Sequence, residues 1–286
     1  MSAFLAGGSD LLDRKRHGLF EGSWTDLSHL DASIDTTNGL RIGAMAPIAD
    51  LARVESHRGL AEAAGHLATP QIRRQGTVAG NLVQSSRCRY FRHPHLHCTH
   101  KGDPECGARE GHDANAVLFD PGERGCPHPH PSTLGMALMA YDAEVEVNGA
   151  RRPVADLYDA NDRTRTHRLA DDEVIEAIHV PAVGDERSCY VRVSARAKAE
   201  WAIVECCVRF RVEDGLIAAA QVAVGAVAPV PMRLPKVEEA LVGQRLDEAA
   251  LARAASLATE GANPLAQSRY KLAILVAAVK QALLEA

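Results

Sequence analysis

The chain of 286 residues is 46% hydrophobic and 24% charged, so it can bury a large core and exceeds the usual size of one domain. Its formal net charge of -5 gives no overall attraction to nucleic acid or to anionic lipid, which argues against both as partners. No apolar run approaches the roughly twenty residues that span a bilayer, and the first residues lack the order of a signal peptide. We therefore expect a cytoplasmic protein without membrane insertion, or a periplasmic one if a signal-bearing partner exports it.

The chain begins with the pattern of a strand end, a glycine turn and a helix start, at residues 4–6, 7–10 and 11–12. Apolar spacing then predicts further elements before residue 184. These are a strand over 40–45, helices over 48–64 and 134–141, and strands over 143–147 and 173–180.

The C-terminal part has the spacing of strands followed by helices, and the chain shows no internal repeat. The predicted strands and helices cover 190–193, 206–212, 218–227, 237–242, 246–257 and 268–284. The expected fold class is therefore α+β, with domains packed together. Cys189, Cys206 and Cys207 lie in strand-like apolar segments and are expected in the core. The last two are adjacent, so a strand would direct them to opposite faces.

Residues 85–131 show no hydrophobic periodicity and are dense in Cys, His, Gly and Pro. Loops of this length without secondary structure are uncommon in compact domains unless something fixes them. A metal centre would do so, because its binding free energy contributes to folding. The candidate ligands are Cys88, Cys98, Cys106 and Cys126, with nine, seven and nineteen residues between them.

Four thiolates suit either a tetrahedral zinc ion or an iron-sulfur cluster. Zinc sites usually hold two ligands two to four residues apart, and none of these spacings is so short. The spacing favours a cluster over zinc, with unpaired loop thiols as a third alternative. Seven of the thirteen histidines also lie in this segment, and a solvated loop is the simpler interpretation for most of them.

Two glycine-containing turns, residues 6–10 and 76–81, are candidates for binding a phosphate group. A turn that opens a helix exposes backbone N–H groups and the positive end of the helix dipole. Neither turn matches G-x-G-x-x-G or the P-loop, which argues against a Rossmann domain and an NTPase. Each alone is compatible with an ordinary tight turn, whereas the two together indicate a diphosphate held between two lobes.

Three segments resemble, in the same order, motifs of the FAD-binding medium subunits of the xanthine dehydrogenase family. Residues 4–12 (FLAGGSDLL) resemble the first flavin loop of that family, commonly LAGGTDLL. Residues 69–82 (TPQIRRQGTVAGNL) resemble its second loop, R-N-x-G-T-x-G-G-N-L, and residues 222–231 (VAVGAVAPVP) are similar to its strand motif ALGGVAPTP. The cysteine-rich insert is similar to that of the branch containing periplasmic aldehyde oxidoreductase and 4-hydroxybenzoyl-CoA reductase.

This resemblance implies a two-lobed FAD-binding region of the PCMH type, formed by residues 1–55 and 56–183. The second lobe would carry an iron-sulfur loop insert at 85–131. Residues 184–286 would form an α+β domain of the CO dehydrogenase flavoprotein type, with a small antiparallel sheet and helices. Family members have a further strand and helix ahead of the first flavin loop, so we expect the first lobe to be short or the start to be misassigned.

The resemblance also implies the cofactor ligands. The four insert cysteines would bind a 4Fe-4S cluster. The residues implied for FAD are Leu5, Ala6, Gly7, Gly8, Ser9, Asp10, Leu11, Thr69, Gly76, Thr77, Gly80, Asn81, Asp113 and Arg192. At Arg192 the family usually has Lys, and Arg retains the positive charge but not the compact, titratable ammonium.

The function implied is that of an electron-transfer subunit. A molybdopterin-binding large subunit would oxidise an aldehyde or an N-heterocycle, and the 2Fe-2S clusters of a small subunit would pass electrons to FAD. An external acceptor would then oxidise the flavin. No Ser-His-Asp or paired-carboxylate arrangement is evident, so no catalytic side chain is assigned. The alternatives are a zinc- or cluster-stabilised scaffold without FAD and a stand-alone flavin oxidase.

Overall fold

The computed structural model describes residues 2–197 and 199–286. Its strands are β1 (Ser2–Leu5), β2 (Ser23–Asp26), β3 (Ile34–Asp35), β4 (Leu40–Gly43), β5 (Glu144–Val147), β6 (Ala150–Pro153), β7 (Ile175–Val180), β8 (Glu186–Ser194), β9 (Ala202–Glu213), β10 (Leu216–Gly225) and β11 (Met232–Arg233). Its α-helices are α1 (Leu11–Arg16), α2 (Ile48–Leu51), α3 (Arg58–His66), α4 (Pro70–Gln75), α5 (Val78–Leu82), α6 (Arg89–Arg92), α7 (Gly107–Glu110), α8 (Thr133–Ala140), α9 (Pro235–Leu241), α10 (Glu248–Ser256) and α11 (Lys271–Glu285). No helix in the two described ranges is long and apolar enough to cross a membrane.

The first lobe is built on a parallel pair of strands, in which Ser2 of β1 lies opposite Ser23 of β2. Helix α1 makes the crossover that parallel strands require. The turn between β1 and α1 contains Gly8, whose φ of 74° is in the left-handed region that favours glycine. The predicted strand end, glycine turn and helix start are confirmed.

The second lobe contains an antiparallel sheet with the strand order β3-β4-β7-β5-β6. Along β5, Val145 and Val147 are buried while the alternate Glu144 and Glu146 are half-exposed, as the period of a strand requires. Helices α3 and α8 contribute to the same apolar core. The predicted strands 40–45, 143–147 and 173–180 are confirmed, with ends that differ by up to two residues.

The helix predicted over residues 48–64 is wrong as a single element. Helix α2 ends at Leu51, and α3 begins only at Arg58. The buried ring of His57 lies between them, with its Nε2 atom 3.0 Å from the carbonyl oxygen of Pro181. This contact with the end of β7 takes the chain out of the helical path, so tertiary structure overrides the local apolar spacing.

The C-terminal sheet has the antiparallel order β11-β10-β9-β8. Helices α9, α10 and α11 cover one face of this sheet, and α3 and α8 of the second lobe pack on the other. Cys206 lies in the core beneath α11, and Cys207 lies in the core of the second lobe. The predicted opposite orientation of these two thiols is confirmed, and so is the α+β class.

Residues 85–131 leave this scaffold after α5 and return to it just before α8. The segment contains only short helical turns, among them α6 and α7, so the lack of periodicity in its sequence is confirmed. Cys88, Phe91, Cys98 and Ala108 form a separate small cluster, whereas Leu118 and Phe119 pack in the core of the C-terminal domain. The small cluster itself buries little apolar surface, so the insert is held in part by the C-terminal core and in part by polar interactions.

Candidate functional site

The two glycine turns lie against each other. A Cβ atom added to Gly7 would lie 2.0 Å from the carbonyl oxygen of Gln75, so only glycine allows the two backbones to approach this closely. The Nε2 atom of Gln75 donates a hydrogen bond of 2.9 Å to the carbonyl oxygen of Gly7. The two turns that were predicted to hold a diphosphate are therefore in direct contact.

A cavity of about 460 Å³ opens beside these turns, within the size range of ligand sites. Its wall includes both turns, residues 83–85, Arg87, most of residues 167–175 and Trp201. Ten of the fourteen residues predicted for FAD line it. They are Ala6, Gly7, Gly8, Ser9, Asp10, Leu11, Gly76, Thr77, Gly80 and Asn81.

The first turn presents backbone donors at this cavity. Within the two described ranges, the N–H groups of Gly7, Gly8, Ser9 and Asp10 have no hydrogen-bond acceptor. Successive free N–H groups ahead of a helix bind phosphate oxygens well. In the second turn, Thr77 caps α5 by accepting a hydrogen bond from the N–H of Gly80.

Four predicted residues do not line the cavity. Leu5 ends β1 just before the first turn, and Thr69 caps α4 through the N–H of Ile72. Asp113 is buried in the insert, where its carboxylate lies 3.2 Å from Nδ1 of His128. Arg192 is buried on β8 in an ion pair with Glu205, so its charge is already neutralised.

Several cavity residues were not predicted, notably Arg14, Arg87 and Trp201. The ring of Trp201 is 54% exposed, and the guanidinium of Arg87 stacks over it at 4.9 Å from the ring centroid. Trp201 lies between β8 and β9, far in sequence from both glycine turns, and no local signal marks it. Arg87 directly precedes Cys88, so the sequence assigned it to the start of the insert and gave no sign that it lines the cavity.

The four thiols of the insert converge. Burial raises the pKa of Cys126, and the neighbouring thiols of Cys88, Cys106 and Cys98 raise it further. Burial likewise raises the pKa of Cys88 to about 12 and raises that of Cys98. Buried thiols so close together resist ionisation. A bound cation would stabilise their thiolates and so lower their pKa.

Backbone N–H groups lie near three of the four sulfurs. Those of Tyr90 and Phe91 face Cys88, that of His100 faces Cys98, and that of His128 lies 3.4 Å from the sulfur of Cys126. Donors of this kind stabilise negative charge on sulfur. These donors offset part of the cost that burial imposes on a thiolate.

The segment that carries Cys126 is tied to α7 by Arg109. Its guanidinium donates to both carboxylate oxygens of Asp120, at 2.9 and 2.8 Å, and also to the carbonyl oxygens of Gly122 and Gly125. Bidentate pairs of this type fix geometry as well as charge. Cys106 directly precedes α7, and Cys126 directly follows Gly125. These hydrogen bonds therefore hold the two cysteines on one structural unit.

Two families match this sequence. The FAD binding domain in molybdopterin dehydrogenase matches residues 2–183, and the CO dehydrogenase flavoprotein C-terminal domain matches residues 189–286. The chain is 30% identical over 301 residues to the aldehyde oxidoreductase FAD-binding subunit PaoB of Escherichia coli (strain K12), covering 99% of this chain and 91% of that protein. It is 26% identical over 228 residues to the carbon monoxide dehydrogenase medium chain of Hydrogenophaga pseudoflava, covering 78% of this chain and 65% of that one.

Solved structures share the fold. A carbon monoxide dehydrogenase from Hydrogenophaga pseudoflava has a TM-score of 0.74 at 24% identity, over 99% of this chain and 88% of that one. Quinoline 2-oxidoreductase from Pseudomonas putida 86 has a TM-score of 0.73 at 20% identity, over 100% and 89%. Since the family matches span nearly the whole chain and the architecture agrees, the chain belongs to the family of FAD-binding subunits of molybdenum hydroxylases.

Proposed function

We propose that this chain binds FAD at the cavity beside the two glycine turns and a 4Fe-4S cluster on the four insert thiols. It would serve as the electron-transfer subunit between the 2Fe-2S clusters of a partner and an external acceptor. The observation that carries the proposal is the position of the thiols, since residue 87 lines the cavity and residue 88 is the first of the four. Both cofactors would therefore be held by one continuous segment.

The cavity residues fit a dinucleotide. Gly7 and Gly76 let the backbone of both turns approach a ligand, and the free N–H groups of residues 7–10 suit the oxygens of a pyrophosphate. Arg14 lines the same wall, where Arg87 is held in an ion pair with Asp10. Flavin supplies the redox chemistry when bound, and the chain positions it and sets its electrostatic surroundings.

The thiol site fits a cluster better than a zinc ion. A zinc ion bonded to four sulfurs at about 2.3 Å holds them within about 4 Å of one another. In the part of the chain that the structure describes, the group of three or more ligand atoms that lie within 4.8 Å of one another consists of Cys88, Asp113 and His128, a set with only one of the four thiols. The four thiols are thus spaced more widely than one zinc ion requires. The larger 4Fe-4S cluster takes thiolate ligands at such wider spacing.

For the complete enzyme we propose a molybdopterin-binding large subunit and a 2Fe-2S small subunit as partners. The resemblance to an aldehyde oxidoreductase subunit favours aldehydes as the substrate class. The substrate would meet the partner that carries molybdenum. Co-purification of the three polypeptides from their native host, with aldehyde turnover, tests this part.

The cofactors are tested on the full chain, produced with its companion subunits and purified without oxygen. We expect bound FAD and four iron atoms per chain, with a broad visible band that dithionite bleaches. Cys106→Ser should remove this band and the iron while FAD remains. Cys189→Ala is the matched control, because Cys189 is a core thiol outside the insert, and it should leave both cofactors.

Other outcomes would contradict the proposal. A colourless chain with one zinc ion would support a scaffold role. Flavin without iron, together with substrate turnover by this chain alone, would support an oxidase. Loss of the band in Cys189→Ala as well as in Cys106→Ser would show that the iron signal depends on general stability and not on ligation by the insert.

A further inference from the structure

Asp10 lies where the first glycine turn meets the insert. Its Oδ2 atom accepts a 2.9 Å hydrogen bond from the backbone N–H of Ser85, and its Oδ1 atom lies 2.6 Å from Nη2 of Arg92 and 3.2 Å from Nη2 of Arg87. All three side chains of this ionic group are at least three-quarters buried. One carboxylate of the cavity wall therefore receives three donors from residues 85–92.

The same short segment reaches both candidate sites. Ser85 and Arg87 line the cavity, and Cys88 follows directly. Arg92 lies one helical turn beyond Cys88, where its N–H donates to the Cys88 carbonyl at 2.9 Å and its Nε donates to the carbonyl of Ser86 at 2.8 Å. Because consecutive Cα atoms are about 3.8 Å apart, displacement of Cys88 must displace Arg87.

The carboxylate of Asp10 is better suited to this bridge than to a ligand contact. Although burial raises the pKa of Asp10, the guanidinium groups of Arg87 and Arg92 bring it below its ordinary value. The group is therefore an anion at neutral pH, and it would repel a pyrophosphate if it faced one. Its three donors already occupy both oxygens, so its contribution to binding is made through the shape of the turn.

We propose that Asp10 is a positioning residue that couples FAD affinity to occupancy of the thiol site. The bound cluster would fix Cys88, the flanking arginines would then fix Asp10, and Asp10 would fix the turn whose N–H groups face the cavity. This inference rests on the proposed function and adds an interaction between its two sites. Since such coupling is reciprocal, FAD should also slow the loss of iron.

The test is a double-mutant cycle on the full chain, anaerobically purified, with FAD affinity measured by fluorescence titration. In the wild-type background, Cys106→Ser removes the cluster from a position outside the bridge and should weaken FAD binding about tenfold, the loss of one charge-assisted hydrogen bond. In the Asp10→Asn background, FAD binds more weakly at the outset. The further effect of Cys106→Ser there should be less than about twofold.

Asp13→Asn is the matched control. Asp13 lies on α1 and pairs with the same Arg92 at 3.3 Å, but it does not line the cavity. The Asp13→Asn substitution removes the same charge as Asp10→Asn. In this background the full tenfold effect of Cys106→Ser on FAD binding should persist. The second readout is the rate of iron release to a chelator, which FAD should slow in wild type and in Asp13→Asn but not in Asp10→Asn.

The proposal would be overturned if Cys106→Ser weakened FAD binding equally with and without the Asp10 carboxylate. It would also be overturned if the FAD affinity of wild type did not depend on the cluster. If Asp10→Asn does not fold, Arg92→Lys replaces it, because Lys keeps the charge but lacks the forked donors, and coupling should again fall. Wild-type protein without iron or flavin would instead overturn the proposed function, and it is recognised before any variant is made.

Discussion

Substitution of Gly7 by Ala tests the contact between the two glycine turns. The added Cβ would lie 2.0 Å from the carbonyl oxygen of Gln75, whereas ordinary contacts begin near 3.4 Å, so the turns must separate by about 1.4 Å. Both sides of this contact are backbone, so no side chain can rotate away. Overpacking of this kind usually costs about 1–3 kcal/mol, which corresponds to FAD binding weakened about 5-fold to 150-fold if the strain falls on the bound turn.

The assay is fluorescence titration of the apoprotein with FAD, together with thermal unfolding. Gly65→Ala is the matched control: Gly65 lies in α3, and an added Cβ there meets nothing closer than Ala52, at 3.9 Å. This control should bind FAD normally and gain up to about 1 kcal/mol of stability from helix propensity. FAD affinity of Gly7→Ala equal to that of Gly65→Ala would refute the assignment of the turns as the FAD cradle.

Three further predictions concern groups away from the cavity. Glu205→Gln should lower the free energy of unfolding by about 3–5 kcal/mol in urea titrations, because it leaves Arg192 as an unpaired buried charge, and a change below 1 kcal/mol would contradict this. Burial lowers the pKa of Lys271 from 10.5 to about 8. The unfolded chain therefore binds more protons between these values, and Lys271 makes stability rise with pH across that window. Lys271→Met should remove this rise, whereas parallel stability curves for the two proteins from pH 7 to 10 would count against it. Finally, burial raises the pKa of the three core thiols, so iodoacetamide at pH 8 should leave them unmodified in folded protein, as peptide mass spectrometry would show for Cys189, Cys206 and Cys207.

The sequence predicted those parts of the site that are encoded by neighbouring residues. A glycine turn between a strand and a helix has a local signature, and residues 6–11 line the cavity as expected. The second turn was predicted for the same reason, since Thr77 caps the short helix that follows it. The adjacent thiols Cys206 and Cys207 were assigned to opposite faces from strand geometry alone.

Features of the structure that depend on contacts between distant segments could not be predicted in this way. The break between α2 and α3 follows from a bond between His57 and a carbonyl 124 residues away. Trp201 reaches the cavity only because β8 and β9 pair and bring their connecting turn to its edge. Arg192 was placed near the flavin by resemblance, but the structure pairs it with Glu205, which no local pattern indicates.

The insert is anchored to the rest of the chain at points that need no metal. Asp10 holds its beginning, and the ammonium of Lys271 donates to the carbonyl oxygen of Asn115 at 2.9 Å, while the pair of Arg109 and Asp120 braces the insert internally. Each is a charge-assisted bond, partly or wholly buried, and such bonds are about twice as strong as neutral ones. The anchors therefore fix where the insert lies, while the proposed metal centre would organise its thiols. Together with the packing of Leu118 in the C-terminal core, these anchors explain how the insert keeps a defined position next to the cavity, and loss of a metal bound by the thiols should loosen the insert locally without unfolding the two sheets.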